Sequence, residues 1–263
     1  MSISKKTSIL ALLSIFIIAP AAFAQSDGSS SYGEQFTFEI RGLYWNSSLQ
    51  NIVRADSGSL KGTDIDLVSD LGLDNNKGLP FGQVEIKFAE RHKLIADYIS
   101  FSYTGNKVVS ENLVFNGVSY PVASRVQTAL DLKSARIGYE YDLVRDPLGY
   151  LAFRLAANYV YAKAQVVTAG ALSNSISMDA WAPVVGISAR LTPVSMVSIS
   201  AEVAGVGFEK SSVLDSSIYL DVNPIPNVGL TAGWRNIRIV VDVDGKKADT
   251  QWSGPFGGVA VRF

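Results

Sequence analysis

No cysteine occurs among the 263 residues, which excludes disulfides and any thiolate metal or redox site. Histidine occurs once, at His92, so a single imidazole is available to the whole chain. Charge of one sign is also missing. The 23 Lys and Arg stand against 24 Asp and Glu, for a formal net charge of −1, which argues against a nucleic-acid partner. Disorder is excluded by the 48% hydrophobic content at so low a net charge. Beyond the first two dozen residues no apolar run approaches the ~18 residues that mark a membrane-crossing helix. A membrane strand would escape that test, because it shows only alternation.

The N-terminal segment reads as cargo for export. Lys5 and Lys6 precede the apolar run Ile9–Ile18, interrupted only by Ser14, and Ala22-Phe23-Ala24 supplies small residues ahead of Gln25. That order is the one a secretory signal peptide takes, over residues 1–24, with the mature domain at 25–263. A membrane anchor is the alternative, but ten apolar residues are half of the ~20 that span a bilayer. Without Lys5 and Lys6 the net charge moves from −1 to −3.

What the chain has in quantity is a period of two. In GYLAFRLAANYVYAK, Leu151, Phe153, Leu155, Ala157, Tyr159 and Tyr161 share one strand face, opposite Ala152, Arg154, Ala156 and Asn158. The same alternation marks nine further segments: 35–46, 82–89, 93–103, 128–142, 179–191, 195–208, 216–222, 228–239 and 253–263. Segment 216–222 is weak, and Ile95, Ile99 and Phe101 blur the pattern of 93–103. Ten strands are expected, or eight if the weak hairpin is peripheral. Short links at 90–92, 144–148, 192–194 and 223–227 alternate with longer ones through 47–80, 104–127, 164–177, 209–215 and 242–252. Tight turns on one side and long loops on the other are the habit of an outer-membrane barrel. The expected fold is therefore all-β, a closed antiparallel up-and-down transmembrane barrel. A secreted soluble sandwich or lipocalin-like barrel also alternates, with its apolar face inward. Aromatics near strand ends (Tyr44, Trp45, Tyr139, Tyr141, Tyr159, Tyr161, Trp181, Trp234) favour the membrane, as interfacial girdles.

The chain closes on GGVAVRF, with Gly258, Val261 and the terminal Phe263 spaced as glycine, hydrophobic residue and aromatic. This resembles the C-terminal assembly signal of Gram-negative outer-membrane proteins. With the export segment and the strands, the resemblance extends to small barrels of the outer-membrane protein A type. It implies residence in the cell outer membrane, lipids around the wall, and a barrel assembly machinery that contacts Gly258, Val261 and Phe263. No peptidoglycan-binding segment follows Phe263, so the anchoring role of longer relatives is not implied.

The expected interior is charged: Glu39, Glu85, Asp97, Glu140 and Glu202 against Arg41, Lys87, Arg136, Arg154, Arg190, Arg235 and Arg262. Opposite charges in so narrow a lumen pair, since a lone buried charge costs several kcal/mol. His92 falls in the turn 90–92, a membrane thickness from the outer rim where a barrel hydrolase would need its base. Asp64, Asp66, Asp70 and Asp74 in KGTDIDLVSDLGLD miss the EF-hand pattern, because Val68 and Ser69 stand at ligand and glycine positions. Leu67, Leu71 and Leu73 among them suit a lip packed on the rim. No catalytic residue, cofactor or metal is expected, and a monomer is. The expected function is a non-enzymatic structural or surface-interaction barrel with a narrow or plugged, salt-bridged lumen. A narrow channel for small or anionic solutes is the alternative, from the seven-to-five excess of basic positions. A carboxylate enzyme at the rim is the third.

Overall fold

The computed structural model describes residues 36–168 and 173–263, so the export segment lies outside the described residues. The described chain is all-β. Ten long strands form the wall: β1 (Phe38–Ala55), β3 (Asn76–Phe88), β4 (His92–Val108), β7 (Arg125–Asp146), β8 (Gly149–Thr168), β9 (Ser173–Val194), β10 (Val197–Phe208), β11 (Ser211–Ile225), β12 (Val228–Val243) and β13 (Lys246–Arg262). Three short ones, β2 (Ile65–Asp66), β5 (Leu113–Phe115) and β6 (Val118–Tyr120), sit in the two long loops. Each wall strand pairs antiparallel with its neighbours in order, and β13 closes on β1 from Glu39↔Arg262 to Ala55↔Lys246. The weak segment 216–222 lies within the 15-residue β11, paired on both sides, so the count is ten and the eight-stranded alternative falls.

The strands outrun the segments that alternation marks. β7 and β9 have 22 residues each. At ~3.3 Å per residue and ~40° of tilt they rise about 55 Å, twice the ~25 Å apolar band of a membrane barrel. Two of the long links shrink accordingly: β10 turns into β11 at 209–210, and β12 into β13 at 244–245. The second turn carries φ of 49° at Asp244 and 74° at Gly245, the left-handed pair of a type I′ hairpin. Only 56–75 and 109–124 remain as extended connections among the described residues.

The reason lies in a reversal of polarity partway up the wall. In the lower half the outward side chains are apolar and exposed, as with Ile40, Leu151, Phe153, Leu155, Ile187, Ile199, Leu230 and Val259. The inward ones there are charged and buried. An outward ring of Tyr44, Tyr159, Trp181 and Trp234 ends this zone, with the Tyr159 and Trp181 rings 5.2 Å apart. Above it the outward positions turn polar (Ser102, Lys163, Ser175, Ser177, Asp179, Arg238, Asp249). The inward ones become a hydrophobic core of Trp45, Leu49, Tyr103, Val126, Leu130, Val166 and Trp252. Ile95, Ile99 and Phe101, which blurred the strand pattern, point inward and are 2–3% exposed. Trp45 is a correction: it is fully buried in the lumen, donating Nε1–H to the Gly254 carbonyl at 3.0 Å, and has no part in the girdle.

Candidate functional site

The lower lumen is built from one or two inward residues per strand. Glu39 of β1 accepts from Arg41 two residues on and from Arg262 of β13 across the closing seam. Arg262 also donates to Asn223 Oδ1 at 2.6 Å. Asp221 of β11 draws together Arg41 (3.6 Å), Arg190 (3.2 Å) and the Thr231 hydroxyl (2.5 Å). On the opposite wall Lys93 lies 3.0 Å from Glu140 and 2.9 Å from Asp142. Arg154 donates twice to Glu140 (2.9 and 2.8 Å) and once to Glu202 (2.8 Å), whose other oxygen accepts from Tyr219 at 2.6 Å. Higher up Arg136 joins Asp97 (2.6 Å) to Asp215 (3.2 Å), and Arg235 forks onto Asp215 at 3.1 and 2.7 Å. Arg235 also lies over the Trp45 and Phe81 rings at 5.6 and 5.0 Å, so one guanidinium joins the charged tier to the apolar one.

All twelve charges named from sequence face the interior. Glu85 and Lys87 lie at the short-turn mouth, partly exposed, with Lys87 over the Phe36 ring at 3.9 Å. The other ten join the networks above. Sequence reasoning missed Lys93, Asp142, Asp215 and Asp221. Lys93, Asp142 and Asp221 are at most 1% exposed. Lys93 and Asp142 sit at strand ends, and β11 alternates too weakly to sort Asp215 and Asp221 by face. With them the described lower lumen holds eight cations and eight carboxylates, and Arg145 reaches Asp142 from the mouth at 3.3 Å. The seven-to-five excess counted from sequence thereby gives way to a near balance.

Above this network the lumen is filled by side chains. Trp252 meets Phe101 at 4.9 Å between centroids, and Trp45 meets Phe101 edge-on at 6.1 Å. The two long loops close the top. Ile65, Leu67, Leu71, Leu73, Val109, Leu113, Phe115 and Tyr120 are all at most 5% exposed. Asp66 Oδ1 accepts from the Val68 and Ser69 amides, and Asp70 accepts from the Asp66 amide, so these carboxylates cap a helical turn. Among the described residues no three His, Asp or Glu side chains could hold a metal ion. Cavities of about 40 and 30 Å³ remain within the barrel, each with room for about two or three waters.

His92 is the first residue of β4, a correction to its place in the turn. It stacks on Phe88 at 5.6 Å, meets Tyr141 at 5.2 Å, and its Nδ1 lies 2.5 Å from the Tyr139 hydroxyl. These rings form an aromatic patch on the outer face at the short-turn end.

A closed barrel, greasy where it meets lipid and charged within, defines the class: the fold is that of a Gram-negative outer-membrane β-barrel. No family model and no curated protein matches the sequence. Among solved structures the chain is similar in fold to the outer membrane protease OmpT from Escherichia coli. The TM-score is 0.59 at 9% identity, over 86% of this chain and 96% of that one. Weaker likenesses are to Ail, the attachment invasion locus protein of Yersinia pestis, and to Neisserial surface protein A. Ail has a TM-score of 0.38 at 15% identity, covering 84% of this chain and 98% of its own. Neisserial surface protein A has 0.37 at 16%, covering 86% and 97%. At these identities the likeness is one of fold.

Proposed function

We propose that this protein is a non-enzymatic barrel with a closed lumen that presents an extracellular surface to partners. The observation that carries the reading is the double filling of the interior. A charge-balanced ion-pair network occupies the membrane section, and a capped apolar core occupies the section above it. The acidic loop supports a structural reading because Asp66 and Asp70 spend their oxygens on capping. The single histidine lies at the periplasmic rim, away from the loops. In this reading residues 1–24 direct export and are removed. The assembly machinery reads Gly258, Val261 and Phe263, and the barrel works as a monomer. The seam supports that part: Phe38 and Phe263 exchange backbone hydrogen bonds at 3.0 and 2.8 Å. The decisive experiment is planar-bilayer recording on the purified full chain. The expected trace is quiet, and steady, reproducible single-channel steps would overturn the closed-lumen reading.

A further inference from the structure

The wall above the girdle is not complete. β9 pairs with β10 only from Val185 to Val194: the ladder ends at Gly205, and β10 itself turns back three residues later at 209–210. On its other side β9 pairs with β8 all the way from Ser173 to Leu191. Among the described residues, 173–184 therefore carry a ladder on one side and none on the other. Those from 173 to 180 stand above the Trp181 girdle, in water. Proteins blunt such edges with lysine, proline or bulges. Along 173–184 this one has no Lys or Arg and a single charge at Asp179, and its one proline, Pro183, stands at the foot of the edge, below the 173–180 stretch in water.

The edge is also held ready. Asn174 donates to the Phe115 and Asn116 carbonyls at 3.2 Å and accepts from Asn116 Nδ2 at 3.1 Å, which ties its upper end to the cap hairpin. Beside it the core is uncovered. Met178 points inward yet is 45% exposed, and Phe208 at the foot of the gap is 70% exposed.

We propose that this edge receives an extended segment of another polypeptide, which adds to β9 as a strand and covers the gap. The occupant follows by elimination. The described chain begins at the short-turn end, where Thr37 and Phe38 donate to the Phe263 carbonyl, a membrane thickness from the edge. Residues 169–172 are only the four that join β8 to β9 in sequence. A second copy in the same membrane is related by an axis along the membrane normal. Two strands tilted ~40° would then cross at about 80° and could not lay a ladder. A free extended peptide from outside meets no such constraint. Main-chain bonds to the edge would supply affinity, and the alternation of β9 would set specificity. The peptide's inward residues would be apolar, against Ile176 and Met178. Its outward ones would be polar beside Ser175 and Ser177, with a cation beside Asp179.

This inference rests on the surface-presentation reading, and its test separates the two. The probe is a fluorescent ten-residue peptide alternating Val and Thr with one central Lys. It is titrated by anisotropy against the full barrel in lipid nanodiscs. Saturable binding is expected, together with new hydrogen-exchange protection confined to 173–184. Met178→Lys should weaken binding about tenfold, while Gln165→Lys, one strand away, should not. No binding to a barrel in which the amides of 173–184 that point away from β8 exchange freely would overturn the proposal. So would equal exchange protection of 173–184 and 185–194 in the free protein, or binding indifferent to Met178→Lys. Channel steps from a barrel that still binds peptide would sink the closed lumen alone.

Discussion

Arg154→Met puts a magnitude on the buried network. The guanidinium makes three hydrogen bonds of 2.8–2.9 Å and its residue is 5% exposed. A methionine of similar length fills the space but leaves two carboxylates short of a donor. Glu140 keeps Lys93, and Glu202 keeps the Tyr219 hydroxyl, so neither is orphaned. Breaking a buried pair from one side costs roughly 3–5 kcal/mol, and the surviving donors place this one near the lower end, about 3 kcal/mol. The four tryptophans report unfolding in urea from detergent micelles. The control is Arg238→Met, which removes two bonds to Asp249 of matching length (3.0 and 2.8 Å) where the side chains are 52% and 46% exposed. Solvent screens that pair, so its loss should leave the urea midpoint where it was. If Arg154→Met shifts stability by less than about 1 kcal/mol, the figure typical of exposed pairs, then water reaches the lumen network and the closed-interior argument fails.

Two further substitutions test the cap and the seam. Asp66→Ala removes the acceptor for the Val68 and Ser69 amides and should cost about 1 kcal/mol. Protease digestion of intact barrels should then cut within 61–74 first, and unchanged resistance would show that the turn is held by its leucines alone. At Gly258 a Cβ would meet the Gly42 carbonyl oxygen at 2.1 Å and Leu43 Cα at 2.8 Å, both backbone-bearing positions of β1, whereas at Gly42 it meets nothing within 4 Å. Gly258→Ala should therefore lower the yield of heat-modifiable, closed barrel, and Gly42→Ala should not. Equal behaviour of the two would remove sterics at the seam as the reason for the glycine.

Much of the wall was legible because alternation depends only on which neighbours share a face. Leu151 to Tyr161 against Ala152 to Asn158 could be sorted without knowing what lay on either side. The upper wall was harder because the rule there still holds but its meaning changes. In β4, Leu94, Ala96 and Tyr98 face lipid, and one residue later Ile99, Phe101 and Tyr103 carry the apolar phase on the other face. A reader who assumes one apolar face sees that as noise, and places Trp45 in the girdle for the same reason. The interior acids were missed on a different ground. Asp142 and Asp221 have ordinary neighbours in sequence, and their partners Lys93 and Arg190 come from other strands, so nothing local marks them as buried.

The phase change has a physical cause that also explains the shape of the extracellular end. Within the bilayer the lipid accepts apolar side chains, so the wall gains nothing by hiding them and is free to pack charges inside. Above the girdle water touches the outer face, and strands that continue there must bury apolar surface inward or fray. The two long loops supply the missing half of that core: Leu67, Leu71, Leu113 and Tyr120 pack beside Leu49, Tyr103 and Val126. Where no loop or strand of the described residues reaches, between the upper half of β9 and the short β10–β11 hairpin, the same requirement is left unmet, and Met178 and Phe208 stand exposed. A soluble core with one wall absent is a surface whose completion by a further strand would bury apolar area and satisfy main-chain groups together.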